Sequence, residues 1–313
     1  MPEIHTRATD SVPPEAGAAA DTGPAPGKPR SLWSDAWYDL RRKPTFLIAA
    51  GLVLLFLVIA AFPGLFTSAS PRLGDRSLSL QPPMLTHFFS PEWLGYDIHG
   101  RSIYARIIYG TRASVLIGIS VTAIVLVFGS LTGMVAGYFG GWIDAVVSRL
   151  VDVFMGIPFL LGAMVVLVSF DGRTTYVVIL ALAFLGWTTV ARVMRGSVIS
   201  VKQSDYVAAA RSLGAGTWRI MTRHILPNAI APVIVVAMVA LGGYISAEAT
   251  LSYLGIGLSD PAISWGGDIN TGKDRIRIAS HLLVMPSIML SLTILAFLMM
   301  GDAVRDALDP KLR

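Results

Sequence analysis

The feature of this sequence that most limits its fold is a set of six long stretches without a charged residue. Each has about 18 to 25 residues, the length that a helix needs to cross the roughly 30 Å hydrocarbon layer of a bilayer. Charged residues make up only 14% of the chain, whereas about 25% is usual in a soluble domain. The sequence therefore predicts an all-α, polytopic membrane protein with six transmembrane helices. The stretches are Phe46–Phe66, Ala113–Gly137, Val153–Phe170, Thr174–Ala191, Ile225–Ala247 and Leu282–Gly301.

Basic residues beside these stretches predict the orientation of the chain, because cytoplasmic segments of membrane proteins are enriched in Lys and Arg. Arg41, Arg42 and Lys43 directly precede the first stretch and place the N-terminus in the cytoplasm. Six alternating crossings then place the basic segment 192–224 and the C-terminus in the cytoplasm as well.

The segments between the stretches predict the organisation of the chain. Residues 1–30 are rich in Ala, Pro and Gly and are predicted to be a disordered cytoplasmic leader. Apolar residues at helical spacing after Gly100 predict an amphipathic helix on the outer membrane surface. The remaining segments are an N-terminal amphipathic segment with the first transmembrane helix at 31–66, an extracytoplasmic loop at 67–112, a five-helix core at 113–303 that includes a cytoplasmic loop at 194–227, and a cytoplasmic tail at 304–313.

Glycines recur every four residues along the second stretch and just past it, at Gly129, Gly133, Gly137 and Gly141. Small residues at this spacing form a groove in which another helix can approach closely. That helix belongs either to this chain or to a second membrane subunit. Pro158, in the third stretch, is predicted to kink its helix.

The sequence supplies no catalytic constellation and no metal site. It has no Cys, and its five His residues are scattered without metal-ligand spacing. The segment Gly267–Lys273 matches part of a phosphate-binding loop, but Asp274 stands where Mg²⁺ coordination needs Ser or Thr. The net charge of +5 does not indicate nucleic-acid binding. Glu248, at the outer end of the fifth stretch, either faces a water-filled path or is solvated at the headgroup level.

The most informative segment is the cytoplasmic loop from Tyr206 to Pro227. It begins with a helical run that contains three consecutive alanines, breaks at Gly214 and Gly216, and resumes as an amphipathic helix. A helix–turn–helix of this size, held between two membrane spans, is predicted to dock into a partner protein.

This loop resembles the signature of the permease family of binding-protein-dependent ABC importers, which is Glu-Ala-Ala, three residues, Gly, nine residues and then Ile-x-Leu-Pro. Here Ala208-Ala209-Ala210 is followed by three residues, Gly214, nine residues and His224-Ile-Leu-Pro227. The spacing is kept throughout. Ala208 replaces the Glu of the signature, and His224 replaces its first Ile.

Further motifs are similar to the C-type subunit of dipeptide, oligopeptide and nickel permeases. They follow one another in the expected order from about residue 41 to the C-terminus. Tyr96 and Ser102 stand where this subgroup more often has Thr and Asp. The motifs are Leu94-Gly-Tyr-Asp97-Ile-His-Gly100-Arg101, Ala136-Gly-Tyr-Phe-Gly-Gly-Trp-Ile-Asp144, Glu248-Ala-Thr-Leu-Ser-Tyr-Leu-Gly-Ile-Gly257, Trp265-Gly266 and Gly301-Asp302-Ala-Val-Arg305-Asp306-Ala-Leu-Asp309-Pro310.

The resemblance implies a type I ABC importer permease (MetI-like) fold in a bacterial plasma membrane. The chain itself would be non-catalytic and hold no cofactor, while ATP and Mg²⁺ would bind to its partners. Those partners would be a homologous B-type permease subunit, two cytoplasmic ATPase domains and an extracytoplasmic solute-binding protein. The cytoplasmic helix would couple to an ATPase through Tyr206, Val207, Ala208, Ala209, Ala210, Arg211, Ser212, Leu213, Gly214 and Ala215.

The resemblance also implies a translocation path between this chain and its partner. Candidates for the path are Glu248, Pro158, Gly129 and Gly133, and candidates for docking of the binding protein are Trp265, Gly266 and Arg101. Di- and oligopeptides are the expected cargo, with nickel, glycans or haem as alternatives. A secondary transporter would instead need inverted repeats and ion-coupling carboxylates, and a membrane-embedded enzyme would need a paired nucleophile and base or a metal set.

Overall fold

The computed structural model describes residues 37–38, 40–259 and 261–308. The leader predicted at 1–30 and the last five residues lie outside this range. Within the described residues the chain is helical, and the single β-type pairing is an isolated bridge between Tyr96 and Ser102. The predicted all-α class is confirmed.

Nine helices, counted within the described residues, build the fold. Five of them are long and apolar enough to cross a membrane, and α3 with α4 forms a sixth candidate if this bent pair counts as one span. The helices are α1 (Pro44–Ala61), α2 (Ile103–Phe139), α3 (Gly141–Met155), α4 (Phe159–Val168), α5 (Thr175–Lys202), α6 (Asp205–Ser212), α7 (Thr217–Tyr253), α8 (Trp265–Lys273) and α9 (His281–Leu308).

The surface helix predicted after Gly100 is wrong as a separate element. Ser102 caps the start of α2, where its side chain accepts a hydrogen bond from the Ala105 amide. The helix then continues without a break for 37 residues, a length of about 55 Å that exceeds the bilayer thickness. Its first apolar residues, including Ile103 and Ile107, are buried. They face the protein interior because the loop before α2 and the start of α9 cover them.

The third apolar stretch does not form the straight span that its length suggests. Helices α3 and α4 meet at 84°, and the break at Gly156–Pro158 contains the proline that the sequence identified as a kink. Proline lacks the amide hydrogen that the helix interior needs, so α4 starts as a new helix after Pro158.

Two helices extend beyond the predicted segments. The fifth apolar stretch is predicted from Ile225, whereas α7 begins at Thr217 and passes through a π-helical turn at Ile220–Ile225 before it reaches Pro227. The predicted tail at 304–313 is helical as far as Leu308, the last residue of α9.

The core of the fold is built around the long helix α2. On one side α2 packs against α5 through the glycine groove, where an added Cβ at Gly133 would lie 2.3 Å from the Ala191 carbonyl oxygen. On its other sides it meets α7 and α1. Helix α9 packs against α7 and α1. The predicted groove therefore serves helix packing within this chain.

Candidate coupling surface and translocation cavity

Helix α6 lies at the end of the helical bundle and is held there by one side chain. Val207 is its buried residue and packs in the core with Ile220 and Ile225 of the π-helical turn. Ala208, Ala209 and the neighbouring residues on the opposite side are exposed. The sequence-predicted coupling residues from Tyr206 to Ala215 thus form one short helix and its C-terminal turn, with a free outer face.

Gly214 ends this helix for a conformational reason. Its φ is 80°, and nothing lies within 4 Å of a Cβ built on it. A left-handed backbone rather than lack of space therefore favours glycine at this position.

Two large apolar side chains beside α6 are exposed. Leu213 is 88% exposed and Trp218 is 74% exposed, on the two sides of the turn at Gly214–Gly216. Exposed apolar side chains grouped near a docking element are typical of protein contact sites. The sequence analysis did not single out Trp218, although its position between a Gly break and a run of basic residues was a usable signal.

Helix α5 connects α6 with the broken pair α3–α4. It ends at Lys202, and Ser204 provides the first turn of α6 by accepting backbone hydrogen bonds from Val207 and Ala208. About two turns before the end of α5, Arg195 pairs with Asp144 of α3 through two hydrogen bonds, one of them 2.6 Å long. Charge-assisted pairs of this fork geometry are the strong ones.

A second ion pair lies about two turns further along α3. Arg192 donates a hydrogen bond of 3.1 Å to Asp152, and both side chains are about half exposed. At the C-terminal end of α5, the Lys202 ammonium donates to the Tyr138 carbonyl at the end of α2. The sequence analysis placed Asp144 in a motif but did not identify its partner, because the two residues of each pair are far apart in the chain.

A cavity of about 450 Å³ opens at the break between α3 and α4. The end of α3 and the break up to Phe159 form one wall, and α5 and α7 contribute the rest, including Thr188, Thr189 and Tyr244. Among the residues that the structure describes, none of those lining this cavity is charged. Of the four path candidates taken from the sequence, Pro158 is the one that lines it.

The other three path candidates do not line this cavity. Gly129 and Gly133 are covered by α5, whose backbone oxygens and side chains occupy the space beside them. Glu248 is completely buried and accepts hydrogen bonds from Ser252 (2.8 Å) and Ser114 (3.1 Å). Its carboxyl group joins α7 to α2 inside the protein, and a place for these three residues in the path stays a prediction.

Two of the three docking candidates are buried, and docking at all three stays a prediction. Trp265 is fully buried, and its indole Nε1 donates to the Ile107 carbonyl at 3.0 Å. Gly266 is buried too, because a Cβ there would lie 2.3 Å from the Ala249 carbonyl oxygen. Arg101 is partly exposed and pairs with Asp97 at 2.6 Å. These residues fasten α8 and the loop before α2 to the bundle.

Helix α8 contains the segment that matches part of a phosphate-binding loop. Ser264 caps it by accepting from the Gly267 amide, so the segment is helical from its first residue. Asp268 points back to Arg106 of α2, which donates to it at 2.8 Å. Burial raises the pKa of the Asp268 carboxyl, and the Arg106 guanidinium opposes this shift.

Comparisons with known proteins agree with the motifs. A family described as "Binding-protein-dependent transport system inner membrane component" matches residues 129–313, and one described as "N-terminal TM domain of oligopeptide transport permease C" matches residues 31–83. The dipeptide transport system permease protein DppC of Bacillus subtilis (strain 168) is 37% identical, over 100% of this chain and 97% of the relative.

Other relatives carry related names. The glutathione transport system permease protein GsiD of Pectobacterium atrosepticum is 36% identical, over 91% of this chain and 93% of the relative. Among solved structures, an amino acid ABC transporter with histidines superposes with a TM-score of 0.48 and 18% identity, over 61% of this chain and 89% of that chain.

Proposed function

This chain belongs to the family of binding-protein-dependent transport system inner membrane components, and we propose that it is the C-type permease subunit of an ATP-driven importer of di- and oligopeptides. The observation that carries this proposal is the exposed helix α6 at the position of the family signature, which α5 connects to a cavity in the membrane-spanning bundle. The relatives named for dipeptide, oligopeptide and glutathione transport support a peptide cargo. These names do not favour the alternatives of nickel, glycans or haem.

The proposed function assigns a partner to each of the two sites. The outer face of α6 is free to enter a groove on a cytoplasmic ATPase, which binds ATP and Mg²⁺ and performs the hydrolysis. The cavity is open on one side and is completed by a homologous B-type permease subunit. A solute-binding protein delivers the peptide from the side opposite α6. Both termini of this chain lie on the same side of the membrane as α6, in the cytoplasm.

Movement of α6 reaches the cavity through α5. When the ATPases close around ATP, α6 moves with the groove that holds it, and α5 moves with α6 because only Gln203 and Ser204 separate them. The Asp144–Arg195 and Asp152–Arg192 pairs transfer this displacement to α3. Helix α3 ends at the break that forms one wall of the cavity. The cavity therefore opens and closes as the packed helices α3 and α5 shift between two arrangements.

The proposal is tested by isolating the tagged chain from its own membranes and reconstituting the purified complex into liposomes. We expect ATPase subunits and a second permease to copurify, and we expect ATP-dependent peptide accumulation when the binding protein is present. Accumulation driven by an ion gradient without ATP would instead indicate a secondary transporter and would contradict the proposal.

The coupling assignment has its own test in Ala209→Glu. Ala209 is exposed, so the substitution leaves the helix and its insertion intact while it puts a charge in the docking face. We expect assembly with the ATPases to weaken and peptide uptake to fall at least tenfold. The matched control is Leu73→Glu, since Leu73 is 78% exposed but lies in the segment before α2. Normal uptake by Ala209→Glu would contradict the assignment.

A further inference from the structure

The segment between α1 and α2 carries an exposed apolar loop that the proposed function does not use. The loop consists of residues 84–89, and its outer surface is formed by Met84, Leu85, Phe88 and Phe89. Phe88 is 67% exposed and Phe89 is 69% exposed. Large apolar side chains grouped in this way mark a surface that contacts another apolar phase.

Aromatic rings in tilted and edge-to-face contact connect this loop to the end of α1. The ring centroid of Phe89 lies 5.1 Å from that of Trp93, and Trp93 lies 5.4 Å from Tyr104. The Tyr104 hydroxyl donates to the Phe66 carbonyl at 2.8 Å. Trp93 and Tyr104 also pack against Ile59 of α1. The loop is therefore held at the level where the chain leaves α1.

That level corresponds to a membrane interface. Helix α1 follows directly after the basic residues 41–43, which mark one headgroup region. Its 18 residues rise about 27 Å, so the turn at Pro63–Leu65 reaches the opposite boundary of a hydrocarbon layer about 30 Å thick. Trp and Tyr are enriched at this boundary, and Trp93 and Tyr104 occupy it here.

Several polar groups of the loop have partners in the loop or in the residues that directly follow it. The His87 amide donates to the Met84 carbonyl at 3.1 Å, and the Ser90 hydroxyl and amide both donate to the His87 carbonyl. The His87 ring nitrogen Nδ1 lies 2.8 Å from a Glu92 carboxylate oxygen. For these groups, contact with a less polar medium does not leave a hydrogen-bond partner missing.

We propose that the loop 84–89 is an interfacial anchor whose apolar side chains lie in the headgroup and acyl boundary of the outer leaflet. Its occupant is lipid rather than protein because the exposed surface is continuous with the end of α1, where Phe62 and Leu65 are exposed. The remainder of α1 presents exposed leucines along its length, as a lipid-facing helix does. The anchor fixes the height of the loop that precedes α2.

The absence of cysteine from the sequence permits a direct test. Phe88→Cys is labelled with a nitroxide in the assembled transporter in lipid nanodiscs, and its collision rates with oxygen and with a water-soluble nickel chelate are measured. Leu65→Cys serves as the lipid reference, and Arg76→Cys, exposed in the same segment, serves as the aqueous reference. Leu85→Cys provides a second position in case Phe88→Cys does not assemble.

We expect labels at 65 and 88 to favour oxygen over the nickel chelate several-fold, and the label at 76 to show the reverse preference. Nickel accessibility at 88 equal to that at 76 would place the loop in water. An immobilised label that neither reagent reaches would show that a protein partner covers the loop. Either result overturns the proposal, and neither depends on whether the complex transports peptides.

Discussion

At the scale of the residue, the side chains that stand out in the sequence act mostly inside the chain. Trp265, Gly133 and Glu248 each suggested contact with a partner or a substrate. In the structure each joins two helices. Trp265 donates a hydrogen bond to α2, Gly133 allows α5 to approach closely, and Glu248 accepts hydrogen bonds from serines of α2 and α7. Van der Waals contact and interhelical hydrogen bonds stabilise helix packing in lipid. Residues that stand out in an apolar stretch therefore indicate helix packing as often as function.

Gly133→Ala is expected to destabilise the fold. The added methyl group would lie 2.3 Å from the Ala191 carbonyl oxygen, and helices α2 and α5 would have to separate. Overpacking of this kind costs about 1–3 kcal/mol. The control is Gly51→Ala in α1, where nothing lies within 4 Å of the new Cβ. A melting curve of the purified chain should show a lower midpoint for the first variant only; equal midpoints would refute the packing role.

Glu248→Ala is expected to be more harmful than Glu248→Gln. Alanine leaves the buried Ser114 and Ser252 hydroxyls without their acceptor, at a cost of about 1–3 kcal/mol for each unsatisfied group. Glutamine keeps polar atoms at both positions, and serine hydroxyls can donate or accept. Thermal unfolding should therefore rank the native chain and the glutamine variant above the alanine variant. Normal stability in Glu248→Ala combined with lost transport would restore Glu248 as a path residue.

At the scale of the element, the chain is organised by where helices continue and where they break. Helix α2 continues through a region that the sequence divides into a surface helix and a span, whereas the third stretch breaks at Pro158. The break gives α3 a direction of its own. Val151 is its buried residue, in contact with Trp187 and Ala191 of α5. The position of α3 therefore depends on a narrow apolar contact and on its two ion pairs with α5.

Reversing one charge of the Asp144–Arg195 pair is expected to uncouple the transporter. Asp144→Arg or Arg195→Asp places like charges together, so α3 no longer follows α5, and stimulation of ATP hydrolysis by loaded binding protein should fall about tenfold. The double exchange should recover most of it. Basal hydrolysis should stay unchanged throughout.

The matched control exchanges Lys43 and Asp306, an exposed pair at 3.3 Å that joins α1 and α9. Its single charge reversals should leave stimulation intact, because exposed pairs contribute about 0–1 kcal/mol and neither helix leads to the cavity. Failure of the Asp144–Arg195 exchange to restore stimulation, in protein that assembles normally, would count against a role for the pair in transmission.

At the scale of the whole molecule, the proposed function makes the bundle one half of a transporter. Its two candidate functional regions, the outer face of α6 and the open cavity at Pro158, would then be completed by other chains, and α5 connects them. The described residues of the cavity wall are apolar or hydroxyl-bearing rather than charged, which suits peptides of varied side chains. Under this proposal, selection of the cargo rests mainly with the binding protein.

Filling the cavity should block transport without preventing assembly. Thr189 lines the cavity and is exposed to it, so Thr189→Trp occupies space that a peptide needs. We expect at least a tenfold loss of peptide uptake with basal ATP hydrolysis retained. Leu180→Trp is the control, because Leu180 is exposed on the same helix but does not line the cavity. Unimpaired uptake by Thr189→Trp would place the path elsewhere.

Much of the fold could be predicted from local patterns. The apolar stretches, the break at Pro158 and the helix from Asp205 to Ser212 depend on hydropathy, on a missing amide hydrogen and on residue spacing, all of which are readable along the chain. The roles of Trp265, Gly266, Gly129 and Glu248 could not be predicted. A buried and an exposed position at the end of an apolar stretch look the same in a sequence of this composition, since lipid-facing and core-facing residues are both apolar.

The sequence by itself determined that this chain spans a membrane several times and presents a short helix with the spacing of the permease signature. Those properties follow from the length of apolar runs and from local backbone preferences. Only the tertiary structure decided that Arg195 meets Asp144, that Glu248 lies sealed between α2 and α7, and that a cavity opens at Pro158. These features join residues far apart in the chain, and their geometry exists only after the helices have packed.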